Sequence, residues 1–242
     1  MTSYLRATRH PWACLLFLLP LLIGYEGGVL WLGGTDPTAL RNGADIWLRW
    51  GLERYGLGQA WIPPVLVVTI LVVRSWAAWA TRPTEPLATC FGMTIESVLF
   101  GVLLWAGARN FDPLLREWGV PTADVTHITV RTPAAAQLVT YIGAGIYEEV
   151  LFRLGLFSVA CFLLRAVLFP KPLAILVAGV GAALVFAAAH HVGPSGEEMV
   201  AAKFLFRAAA GLFFTALYVA RGFGVAVGAH AAYDVLVGVA VG

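Results

Sequence analysis

Seven apolar windows constrain this chain more than any other feature: those near 12–32, 61–80, 88–108, 134–166, 171–191, 200–219 and 222–241. Each approaches or exceeds the roughly 20 residues that a helix needs to cross a hydrocarbon core of roughly 30 Å. With 60% hydrophobic residues, 12% charged residues and a mean hydropathy of +0.80, a soluble domain is excluded. A spanning backbone must satisfy its own hydrogen bonds, and the ten-residue alternation of a membrane barrel is absent. The expected fold is all-α, a polytopic transmembrane helical bundle of about seven spans, within a range of about six to eight. The formal net charge of +2 points to no charged partner.

The first window, Trp12 to Leu32, follows Arg6, Arg9 and His10 and lacks a small-x-small cleavage site. It reads as an uncleaved first span with a cytoplasmic N-terminus. The 134–166 window is too long for one perpendicular span, so it is a tilted helix or two helices broken near Gly155, ended by Pro170. Between windows, 35–60 carries "ALRNGADIWLRWGLERYG", which mixes Trp and Leu with Arg and reads as an amphipathic interfacial helix. The 109–133 connection, with "NFDPLLREWGVPTADV", is also long enough for structure. Cys14, Cys90 and Cys161 lie in or beside apolar runs and form neither a disulfide framework nor a CxxC site. No internal repeat, low-complexity tract or nucleic-acid signature is present. The organisation expected is one integrated membrane domain, with N-terminal spans and interfacial segments in 1–133 and the chemistry-bearing core in 134–242.

Ionisable groups inside spans are costly and usually turned inward for a purpose. Arg74, Lys203, Arg207 and Arg221 lie near span ends, where long side chains can snorkel. Glu26 and Glu96 lie deeper without a partner evident in sequence, and read as packing groups. "YIGAGIYEEVLFRLG", 141–155, is different. At about 100° per residue, Glu149 and Arg153 share a helical face and can pair, while Glu148 points elsewhere. Ala144 and Gly145, one turn earlier, leave room for a helix, a water or a substrate backbone. "LVFAAAHH", 184–191, places His190 one turn after Phe186, with His191 facing another way at the helix end. "VGAHAAYDVLVG", 227–238, puts His230 and Asp234 on one face. Buried polar groups need partners, so three polar helices are expected to converge on one site.

A carboxylate that takes a proton from water, beside imidazoles that donate to an oxyanion, is equipment for hydrolysing an amide. The sequence lacks G-x-S-x-G, a Ser-His or Cys-His constellation, and the second glycine-flanked aspartate of an intramembrane aspartyl protease. Two His and a carboxylate can also bind zinc, here Glu148, His190 and His230, although H-E-x-x-H is missing. A non-catalytic reading remains: a scaffold, an immunity protein or a transporter with a proton relay.

E-E-x-x-x-R at Glu148 to Arg153, F-x-x-x-H at Phe186 to His190 and H-x-x-x-D at His230 to Asp234 occur on three separate spans. This set resembles the CPBP family, the CAAX proteases and bacteriocin-processing enzymes, over about 134–242. The resemblance implies a glutamate-dependent intramembrane endopeptidase without a cofactor, in which Glu148 activates water with His190. It further implies that His230 and Asp234 stabilise the oxyanion, supported by Glu149, Arg153 and Phe186. Eukaryotic CAAX-processing members carry Asn where this chain has Asp234, whereas many bacterial members carry Asp. The implied partners are the lipid bilayer and a membrane-anchored protein or peptide: prenylated, a bacteriocin or a sorting signal. The Gly- and Ala-rich composition suggests a bacterial inner membrane.

Overall fold

Proline marks where many of the helices start. Pro11, Pro63, Pro86 and Pro172 each sit in the first two positions of a helix, where a missing N–H is not needed. The computed structural model describes residues 2–119, 133–193 and 196–240. In chain order the helices are α1 (Thr2–Thr8), α2 (Pro11–Leu32), α3 (Gly43–Glu53), α4 (Ile62–Ala77) and α5 (Pro86–Glu117). They continue with α6 (Ala134–Glu149), α7 (Ser158–Ala166), α8 (Lys171–Ala189), α9 (Ala201–Arg221) and α10 (Phe223–Ala240). Among the described residues there is no strand.

Each apolar window holds one helical rod. Of these, α2, α5, α8 and α9 are long and apolar enough to cross a membrane, and α4 and α10 are shorter apolar helices. The 134–166 window is neither a plain helix nor two: α6 and α7 are joined without a break by a π-helical stretch, Val150–Phe157. Gly155, where a break was expected, lies inside it. Such wide turns are rare and often stand at functional sites.

α10 is the central rod, packed along α5, α6, α9 and α2. Its glycines and alanines permit close backbone approach, the usual basis of helix packing in a membrane. At the α6–α10 crossing, a Cβ on Gly145 would lie 2.8 Å from both the Ala231 Cβ and the Val227 carbonyl oxygen. The room left by Gly145 is thus taken by a helix, whereas Ala144 borders a cavity.

Several charges have partners that sequence alone did not supply. Glu26 on α2 pairs with Arg41 at 3.0 Å and Arg49 at 3.1 Å, and accepts from the Tyr147 hydroxyl at 2.7 Å. Asp45 pairs with the same two arginines and accepts from Tyr25. α3 is therefore amphipathic as expected, with its charged pole turned into the protein and Trp50 turned out. Arg221 does not snorkel: it is buried and grips Glu96 at 2.6 Å. Arg74 is exposed near the end of α4, as expected of a snorkelling residue. The three cysteines are free thiols. Of the expected 109–133 connection, 109–117 extends α5, and 120–132 lies outside the described residues.

Candidate active site

Three rods bring the motif residues together. α6 carries Glu148 and Glu149 at its end, α8 delivers His190 at its C-terminal cap, and α10 carries His230 and Asp234 one turn apart. Close packing fixes their separation. At the α8–α9 crossing a Cβ on Gly211 would meet Ala183 at 3.0 Å, so α9 runs near enough to seal the back of the cluster.

The two neighbouring glutamates have opposite surroundings. Glu149 and Arg153 are fully buried, with Glu149 Oε1 2.9 Å from Arg153 Nη1, the pairing their spacing predicts. Arg153 also donates from Nη2 to the Gly211 carbonyl at 3.1 Å. Its guanidinium lies over the rings of Phe186, at 4.5 Å, and Phe214, at 5.4 Å. Glu149 has a second partner that spacing within one helix could not show: its Oε1 is 2.8 Å from His230 Nδ1. The His230 ring stacks on Phe214, with centroids 4.4 Å apart. Phe186 gains a role from this geometry, since its ring also abuts His190 and His230.

Glu148 faces the other way. Its Oε2 is 3.7 Å from His190 Nε2 and 3.7 Å from His230 Nε2, and His230 Nε2 is 3.7 Å from Asp234 Oδ2. These contacts are too long for hydrogen bonds. Glu148 Oε2 is buried with no hydrogen-bond partner among the described residues, an arrangement native proteins keep for a purpose. His190 is held by the Phe186 carbonyl, 2.8 Å from Nδ1. A carbonyl only accepts, so Nδ1 carries the proton, and in the neutral ring Nε2 faces Glu148 as an acceptor. His230 Nδ1 likewise donates to the Glu149 carboxylate, and its Nε2 donates only with a second proton.

Glu148, His190, His230 and Asp234 line a cavity of about 500 Å³, with Arg41 and Ile46 from the N-terminal part on its other side. Sequence reasoning assigned Lys203 and Arg207 to the lipid boundary, and they instead line this cavity. Both pair with Glu197, at 3.2 Å and 2.6 Å. Glu197 belongs to the loop after α8, and its backbone N–H donates to the His190 carbonyl at 2.9 Å. Burial pushes the Glu197 carboxyl up, but Arg207 and Lys203 outweigh this and hold it below the usual carboxylate range. A charged loop residue ten positions from its arginine leaves no periodic signal. His191, adjacent to His190, bonds the Glu197 carbonyl and lies outside the cavity lining. Among the described residues, no group of three or more His, Cys, Asp or Glu side chains is arranged to hold a metal ion.

Residues 130–236 match the family model described as type II CAAX prenyl endopeptidase Rce1-like, a stretch that contains all three motifs. No curated protein and no solved structure matches the chain.

Proposed function

We propose, from the match of residues 130–236, and with them the whole cluster, to the Rce1-like family model, that this integral membrane protein is an endopeptidase that hydrolyses a peptide bond of a membrane-anchored protein or peptide. The observation that carries this reading is the convergence of Glu148, His190, His230 and Asp234 from three helices on one cavity. The family description makes prenylated C-terminal peptides the first substrates to try, and a bacterial inner membrane is the proposed location.

In this mechanism Glu148 takes a proton from a water molecule whose oxygen attacks the scissile carbonyl carbon. His190, oriented by the Phe186 carbonyl, accepts the water's other hydrogen bond through Nε2. The carbonyl oxygen becomes an oxyanion, to which protonated Asp234 and doubly protonated His230 donate. The C–N bond then breaks, and the proton held on Glu148 passes to the leaving amine, restoring the carboxylate. Glu149 and Arg153 touch no reacting atom; they hold His230 in place. No metal enters the scheme.

The test compares membrane-protein termini in cells with and without the chain, then assays the purified protein on the peptide found. New termini that depend on the chain, cleavage in detergent and turnover unchanged by exhaustive chelation are expected. Turnover lost on chelation and restored by zinc recasts Glu148, His190 and His230 as ligands. Proton transport without cleavage replaces the protease reading by a relay.

A further inference from the structure

The end of the bundle away from the cluster holds a second built cavity, of about 480 Å³. The 19 residues of α8 separate the two, since Lys171 borders this cavity and His190 the other. At about 1.5 Å per residue that is close to 28 Å. Three cations line it, Arg9, Arg74 and Lys171, and its lining contains no acidic residue. Among the described residues, Arg74 and Lys171 make no ion pair, and Arg9 bonds only the Leu5 carbonyl through Nε. Cations at the catalytic end, by contrast, are held by carboxylates: Arg41, Arg49, Lys203 and Arg207 all pair.

The backbone adds to the positive field. α2, α8 and α10 begin at this cavity, through Pro11, Lys171 and Phe223, and none has an acidic residue in its first turn. At α8 no side chain caps the first N–H groups, whereas at α2 the His10 ring accepts from the Trp12 N–H, so the N-terminal partial charge of α8 is the one left open to an anion. The placement of Arg9 depends on Gly222, which turns α9 into α10 at φ +96°. A Cβ there would lie 2.8 Å from the Arg9 Cα, so only glycine lets the start of α2 close on the turn. Leu71, Leu154 and Phe223 supply an apolar wall beneath the cations.

We propose that this cavity binds a phosphate group, that of an anionic phospholipid headgroup, with Arg9, Arg74 and Lys171 on the phosphate oxygens and the acyl chains along the apolar wall. Arginine forks and lysine ammonium groups suit phosphate geometry, and a basic pocket between membrane helices is where a lipid headgroup lodges. A soluble phosphate shares the headgroup chemistry but has no use for the apolar wall.

Full-length protein purified in nonionic detergent is titrated with phosphatidylglycerol, phosphatidylcholine or inorganic phosphate, with melting temperature and native mass spectrometry as readouts. Phosphatidylglycerol is expected to bind and raise the melting temperature, and phosphatidylcholine is not. Glutamine at Arg9, Arg74 or Lys171 weakens binding about fivefold per residue, and about a hundredfold for all three together. A control with glutamine at Arg6, Arg82 and Arg165, cations outside the lining, stays near wild type. Should the triple variant not purify, the single variants carry the test. Equal losses in control and triple variant reduce the effect to general surface charge and overturn the proposal. Inorganic phosphate that displaces the lipid at comparable concentration overturns the lipid source in favour of a soluble phosphate, and no binding by either overturns the site.

Discussion

Glu148 and Glu149 are neighbours in sequence, yet one belongs to a closed network and the other to an open one. On the Glu149 side, distances are 2.8 to 2.9 Å and exposure is zero. On the Glu148 side, every side-chain distance in the cluster is 3.7 Å, and the group borders a cavity. A rotation of about 100° between successive helical residues is enough to make one carboxylate a structural clamp through Oε1 and to leave the next 3.7 Å from the imidazoles, outside hydrogen-bonding range. Desolvated groups without partners cost stability and gain reactivity, so in the proposed mechanism the difference divides the motif into a reacting side and a holding side.

The sharpest way to break this division is to change each glutamate to glutamine. On the open side, Glu148→Gln keeps the volume but cannot take a proton, so turnover should fall by about 10²- to 10⁴-fold. Its melting temperature should stay near the wild-type value, because Glu148 Oε2 has no hydrogen bond to lose among the described residues. A Glu148→Gln protein that retains more than about a hundredth of wild-type turnover would falsify the base assignment. Equal loss of stability in the two glutamine variants would erase the distinction between them.

On the closed side the prediction concerns stability. Glu149→Gln leaves Arg153 buried without its counter-charge, at about 3–5 kcal/mol, whereas Arg153→Met should cost less, because Glu149 keeps its contact with His230 Nδ1. Changing both, to Glu149→Gln with Arg153→Met, should cost less than the sum, since the unpaired guanidinium is gone. Melting curves of the four proteins close this cycle. Activity in the single variants should fall with the loss of the His230 tether, even where enough folded protein is recovered.

Asp234 tests the open side at its far edge. Glu149 already holds His230 Nδ1, while Asp234 sits 3.7 Å from Nε2, outside hydrogen-bonding range. In the proposed mechanism Glu149 therefore orients His230, and protonated Asp234 donates to the oxyanion. Asp234→Asn preserves a donor and should keep substantial turnover, whereas Asp234→Ala should lose roughly 2–4 kcal/mol of transition-state stabilisation. If Asn and Ala variants are equally damaged on one model peptide, the donor role fails.

Most of the architecture was legible because apolar windows and single-helix spacing are local signals. The seven rods, the Glu149–Arg153 pair and the orthogonal direction of Glu148 all follow from counting residues. What stayed hidden depends on which helices lie side by side. Glu26 found Arg41 and Arg49 across the α2–α3 connection, and Glu96 found Arg221 125 positions away. Glu149 found His230 81 positions away. Lys203 and Arg207 misled for a related reason. A cation near a span end looks the same in sequence whether it reaches toward lipid headgroups or toward a loop carboxylate, and here Glu197 decides it. The π-helical stretch at Val150–Phe157 has no compositional mark at all.

The smallest expected effect lies in that Glu197 tether, which closes the loop after α8 over the open side. Its carboxyl is held below the usual range by Arg207 and Lys203 against the opposing effect of burial. A depressed folded pKa means that the pair stabilises the protein above the unfolded value of 4.5, and that the contribution disappears as pH falls through the lower folded value. Because 43% of the Glu197 side chain is exposed, solvent screens the pairs, and Glu197→Gln should cost no more than about 1 kcal/mol at neutral pH. The wild-type and Glu197→Gln melting temperatures should converge as pH is lowered below 4.5. They should also converge in high salt, which weakens exposed pairs and spares the buried Glu149–Arg153 clamp. Freed from Glu197, Arg207 and Lys203 keep their charge in the cavity lining, so the variant should shift KM for an anionic peptide more than kcat. A difference in melting temperature that persists at low pH would place the role of Glu197 in its backbone contact with His190 rather than in its charge.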